Sequence, residues 1–111
     1  MKEMYEVATA VPFSQEKGKF LLLKRAKDRD LHPGKWDFPS GHIQKNESSR
    51  NAALRELEEE TGLKGTMLKT GETFTVETGE GLLHVHSFLV KVEGEPELSR
   101  EHEKYEWIEP G

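Results

Sequence analysis

Alternation of apolar and polar residues marks "YEVATAVPF" (Tyr5–Phe13) as a strand, and "KFLLLKR" (Lys19–Arg25) reads as a buried strand with charged ends. The polar, glycine-containing "SQEKGK" between them predicts a hairpin loop. "AKDRDLHPGK" (Ala26–Lys35) is charged and carries the turn signal Pro33-Gly34, so it reads as loop. "WDFPSG" (Trp36–Gly41) follows as a short extended segment ending at a breaker. From Ser48 to Thr61 the period changes to that of a helix. Ser48 or Ser49 suits the N-cap, Ala52, Ala53, Leu54 and Leu57 form the inner face, and Gly62 suits the C′ stop. Two strands are predicted next, "TMLKTGETFTVET" (Thr66–Thr78), with a bend at Gly71, and "LLHVHSFLVKVEG" (Leu82–Gly94), joined by the turn Gly79–Gly81. "PELSREHEK" reads as loop and "YEWIEP" (Tyr105–Pro110) as a last short strand.

The order β-β-β-α-β-β-β predicts an α+β fold: a mixed sheet with one central helix. One helix covers one face of such a sheet. The other face calls for a second helix, a partner chain or residues beyond Gly111.

The chain has 111 residues, the size of a single domain spanning 1–111, and no cysteine. Disulfides, thiolate metal sites and cysteine nucleophiles are therefore excluded, and a reducing cytoplasm is the expected setting. No apolar stretch approaches the ~18 residues of a membrane span, and the N-terminus is too polar for a signal peptide. The net charge of −5 opposes general nucleic-acid binding. A small phosphate-bearing ligand is still compatible, because a bound cation reverses the local sign.

"RELEEETGL" (Arg55–Leu63) raises an electrostatic problem. Glu56, Glu59 and Glu60 stand at i, i+3 and i+4 on one helix face. Like charges at that spacing cost roughly 0.2–0.5 kcal/mol per pair. Carboxylates in the last turn also oppose the helix dipole. A run of Glu is most often a solvated surface, since Glu is a good helix former. Oxygen ligands converging on one point, however, are what Mg²⁺ or Mn²⁺ prefers.

The flanking spacing decides between these readings. From Gly41 the chain runs Gly, five residues, Glu47, seven residues, then Arg55-Glu56-Leu57-Glu58-Glu59-Glu60-Thr61-Gly62-Leu63. This resembles, at all nine defined positions in 23 residues, the signature GX5EX7REUXEEXGU of the Nudix hydrolases. "LLLKR", the "W-x-x-P" before the motif and "EHEKYEWI" are similar to family segments as well. The resemblance implies a MutT-like α/β/α sandwich whose second, C-terminal helix is absent from this chain. Truncation is the first explanation for that absence and a homodimer the second.

The resemblance also implies the chemistry: metal-dependent cleavage, by water, of the diphosphate linkage in a nucleoside diphosphate derivative. Glu56, Glu59 and Glu60, with the carbonyl of Gly41, are the implied metal ligands, and Glu47 and Arg55 pair to orient the helix. The general base falls to Glu59 or Glu60, or to Glu101 in "SREHEKYEW", with Glu103 as fallback. Glu58 sits at the variable position and faces solvent.

Substrate contacts are assigned to Arg25, beside Lys24 at a strand end, to Phe38, near Trp36 ahead of the motif, and to His84 and His86. The two histidines alternate on one strand face, a spacing that chelates zinc. Lacking a cysteine or a third well-placed ligand, they are read as lining the substrate cleft.

"DFPSG" resembles the "FPGG" of nucleoside triphosphate-cleaning members, with Ser40 in place of a glycine, whereas "LSREHEKYEWI" is similar to segments of dinucleoside polyphosphate hydrolases. Both substrate classes stay open. A non-catalytic nucleotide-sensing module is the alternative, although such relatives usually lack motif glutamates.

Overall fold

The computed structural model describes residues 3–26, 34–79 and 81–110. Seven strands and one helix follow one another as β1 (Met4–Ser14), β2 (Lys19–Arg25), β3 (Trp36–Asp37), β4 (Ser40–His42), α1 (Ser49–Thr61), β5 (Thr66–Thr78), β6 (Gly81–Lys91) and β7 (His102–Ile108). The sheet runs β3-β2-β1-β6-β5, with β4 also paired to β1 and β7 to β2. Among the described residues only β1 and β6 pair in parallel, in an unbroken register from Met4↔Leu82 to Phe13↔Lys91.

Local chemistry accounts for the helix limits. The Ser48 side chain accepts the N–H of Asn51 at 3.1 Å, and Gly62 at φ 72° returns its own N–H to the Glu58 carbonyl. The buried face of α1 consists of Ala52, Ala53 and Leu57, and then Glu60 and Thr61. These apolar residues share one core with Ala8 and Ala10 of β1, Leu21 and Leu23 of β2, and Phe88 and Val90 of β6. Strand alternation therefore places the even-numbered residues of β1 and β6 on the α1 side, with Tyr5, Val7, Leu83 and Val85 on the other.

Two expectations need correcting. The segment Trp36–Gly41 is not one extended stretch: β3 and β4 are separated at the buried Pro39, which has no N–H for a ladder, although its carbonyl accepts the N–H of Ala10 at 2.9 Å. The last strand begins at His102 rather than Tyr105, because Lys104 and His102 pair with Lys24 and Arg25 of β2. Most of the loop predicted over 26–35 lies outside the described residues. The bend at Gly71 corresponds to a register shift between Thr70 and Thr73. α1 is the one helix among the described residues. On the open face, Phe74 and Val76 of the edge strand β5 are 50% and 41% exposed.

Candidate active site

Glu60 is the anchor of the site. Its side chain projects from the buried face of α1 and is only 4% exposed. One carboxylate oxygen accepts the backbone N–H of Ser40 at 3.1 Å, tying the helix to the start of β4. Burial pushes the Glu60 carboxyl up to about 10, reinforced by a hydrogen bond with Glu56 and by the charges of Glu56, Glu101 and Asp37. Burial and the closeness of the other acids both favour the neutral form of Glu60.

β4 is what allows this crowding. Gly41 pairs with Ala8 on the α1 side, and a Cβ at Gly41 would overlap the Glu56 carboxylate. Arg55 is the counterweight. Its Nε lies 2.7 Å and its Nη2 3.0 Å from the two Glu47 oxygens, a two-bond pair. Its Nη1 reaches Glu56 at 2.8 Å and Glu59 at 3.2 Å. The Arg55 fork thus joins the early acid of the motif to two of the three expected ligands. Charge-assisted bonds from Arg55, and then the Gln44 N–H, hold Glu47 below the usual carboxylate range. Glu58 is exposed and points away from this group.

His102 and Asp37 also belong to the site, and sequence reasoning passed over both. His102 is buried, with its Nε2 3.1 Å from Asp37 Oδ1. Its Nδ1 lies 3.5 Å from Glu60 Oε1 and has no hydrogen-bond partner among the described residues. The sequence signal was its position beside Glu101, but a lone histidine in a charged loop carries no depth. Depth comes from the β2–β7 pairing.

A cleft of about 880 Å³ opens beside these groups, with Gly41, Glu56, Arg25 and Glu101 in its lining together with the apolar side chains of Val7 and Leu83 and the ring of Tyr5. Arg25 Nη1 stands 3.7 Å from Asp37 Oδ2. Glu103 pairs with Lys24 at 3.7 Å, outside the cleft lining. Phe38 is half-buried and Trp36 is exposed, and neither contributes to that lining. His84 and His86 are elsewhere, on the α1 side of β6, facing Glu6. The structure therefore brings Gly41, Glu56, Glu60, Glu101 and Arg25 together, leaves the Glu59 side chain 57% exposed and joined to Glu56 through Arg55, and separates Phe38, His84 and His86 from them.

Glu56, Glu59 and Glu60 offer oxygen donors, and the crowding that raises the Glu60 carboxyl fits a place that a divalent cation would neutralise.

Residues 4–111 match the NUDIX domain family, and the chain belongs to it. It is a hydrolase, similar along nearly its whole length to characterised pyrophosphohydrolases. It is 31% identical over 108 residues to the CTP pyrophosphohydrolase of Escherichia coli, a match covering 97% of this chain and 78% of that protein. Among solved structures, a MutT protein of Methanosarcina mazei superposes with a TM-score of 0.89 at 30% identity, covering 97% of this chain and 78% of the other. An Ap4A hydrolase of C. elegans superposes with a TM-score of 0.78 at 28% identity, covering 95% and 80%. Nudix hydrolases generally need divalent metal ions. No helix of the described residues is long and apolar enough to cross a membrane.

Proposed function

We infer that this protein is a metal-dependent pyrophosphohydrolase that cleaves the diphosphate linkage of a nucleoside triphosphate or a dinucleoside polyphosphate by attack of water on phosphorus. The observation that carries the reading is the buried acid Glu60, crowded by Glu56, Glu101 and Asp37, two of which, Glu56 and Glu101, line a cleft of about 880 Å³. Similarity to the CTP pyrophosphohydrolase of E. coli and to the Ap4A hydrolase of C. elegans supports both substrate classes.

Glu56, Glu59, Glu60 and the Gly41 carbonyl would hold Mg²⁺ or Mn²⁺. The cation's contribution is to neutralise the diphosphate oxygens and to acidify the attacking water. Arg25, which lines the same cleft as Glu56 and Glu101, contacts phosphate. Tyr5, Val7 and Leu83 offer that cleft apolar surface for the base. The proton of the attacking water goes to a carboxylate, for which Glu59, Glu60 and Glu101 are the candidates. Arg55 does not touch substrate in this scheme; it fixes Glu56 and Glu59 through the pair with Glu47. The same reading takes residues 1–111 as one domain acting in the cytoplasm on small molecules, not on nucleic acid or at a membrane. A homodimer would be one way to cover the open sheet face.

The test is a panel of nucleotides incubated with Mg²⁺ in heavy-oxygen water, with products identified by mass spectrometry. Release of phosphate, pyrophosphate or a nucleotide carrying one heavy oxygen supports the reading, and the labelled product locates the attacked phosphorus. A protein that binds the cation yet turns over no member of the panel would contradict it.

A further inference from the structure

The third ligand that sequence spacing could not supply to His84 and His86 comes from the other end of the chain. The parallel register sets Glu6 beside His84 and Ala8 beside His86, on the α1 side of the sheet. Glu6 Oε1 lies 2.9 Å from His84 Nδ1 and 2.8 Å from His86 Nε2. The two imidazole rings are tilted at 58° with centroids 4.6 Å apart, and one donor atom from each residue falls within 4.8 Å of the other two. Side-chain exposures of 47% for Glu6, 32% for His84 and 23% for His86 leave the group open to solvent on one side. Across the edge, β5 sets Thr75 beside His84 and Thr73 beside His86, a polar flank to the group.

We propose that Glu6, His84 and His86 form a second metal site, separate from the motif carboxylates, which takes a borderline divalent cation of the Zn²⁺ class and leaves one position to water. Two nitrogens and one carboxylate oxygen suit Zn²⁺ or Co²⁺ and not Mg²⁺, whose ligands are hard oxygens. The fit is geometric. Ligands at about 2.0–2.1 Å from a tetrahedral ion lie about 3.3 Å from one another. The Glu6 oxygen is 2.8–2.9 Å from both nitrogens, so each of these separations lengthens by only about half an ångström, and all three donor atoms already lie within 4.8 Å of one another. The ring atoms that meet it differ, Nδ1 of His84 and Nε2 of His86, which fixes which nitrogen each ring gives to the ion. Because the ligands lie on both strands of the parallel pair, the ion pins β1 to β6. The Glu6 carbonyl also accepts the N–H of Ile43 at 3.0 Å, so the pinned strand is the one that carries the approach to the active-site helix.

The test is Co²⁺ titration of the full chain in saturating Mg²⁺, followed by Zn²⁺ titration with nitrogen NMR of the imidazoles. The expected result is one equivalent of Co²⁺ with the intense visible absorption of a four-coordinate ion, lost in the double variant His84→Gln/His86→Gln. Glu6→Gln is expected to weaken binding at least tenfold while the chain stays folded. In the wild type, Zn²⁺ should shift Nδ1 of His84 and Nε2 of His86. Only weak six-coordinate absorption, or a four-coordinate band that survives in the double variant, would overturn the proposal. So would imidazole shifts unmoved by Zn²⁺, a readout that needs no variant.

Discussion

Glu60 and Glu6 are the same residue type, each facing histidine, and the fold drives them in opposite directions. Glu6 stands in the open, where hydrogen bonds and charge from His86 and His84 outweigh slight desolvation and hold its carboxyl below the ordinary range. Glu60 is sealed under α1 beside Glu56, Glu101 and Asp37, and its carboxyl rises to about 10. His102 is within 3.5 Å of Glu60 but is itself shared with Asp37, so it does not restore the balance. Burial and neighbouring acids set the direction at Glu60, whereas the facing imidazoles set it at the open Glu6. Glu6 is therefore ready to ligate as an anion, whereas Glu60 must surrender a proton first. A site of the second kind stores its preference for a cation as crowding.

The largest expected effect comes from removing that crowding. Glu60→Gln or Glu59→Gln is expected to lower kcat by ~10²–10⁴ in steady-state assays on the substrate found in the panel. A loss under tenfold for both would place the essential acids elsewhere. Gly41→Ala should come next. The added methyl overlaps the Glu56 carboxylate, so a loss of about 1–3 kcal/mol in urea unfolding is expected, together with weaker cation binding. Wild-type stability in that variant would mean that β4 is free to move away from α1. The smallest effect belongs to Glu58→Gln, which should leave turnover unchanged and stability within ~0.5 kcal/mol, because this exposed acid faces away from the cluster.

These differences also show what was legible in the sequence. The helix, its caps and the spacing of Glu56, Glu59 and Glu60 are local properties, and Ser48, Gly62 and the i, i+3, i+4 rule carry them in full. The strands β2 and β5 are legible for the same reason. Which glutamate is buried is not a local matter. Helix spacing from Ala53 and Leu57 sets Glu60 on the apolar side of α1, but the Ser40 N–H that satisfies its carboxyl there comes from β4. His102 is hidden by the β2–β7 ladder, and the partner of His84 and His86 lies 78 residues away from the first of them. Placing the two histidines in the cleft failed to appear in the structure for that reason: strand alternation fixes that they share a face, but the parallel crossover fixes which face. Leu83, not His84, turns toward the cleft.

The central claim is that the buried acids around Glu60 are a cation platform, and melting temperature against pH tests it most directly. The folded chain keeps the Glu60 proton up to about pH 10, whereas an unperturbed glutamate releases it near 4.5. Stability of the metal-free protein should therefore fall as pH rises between those values. Saturating Mg²⁺ should raise the melting temperature, by an increment that grows from pH 5 to pH 9 as the proton it must displace becomes easier to lose. Glu60→Gln should flatten the metal-free curve and remove most of the increment. A wild-type melting temperature that Mg²⁺ leaves unchanged across that whole range would contradict the account.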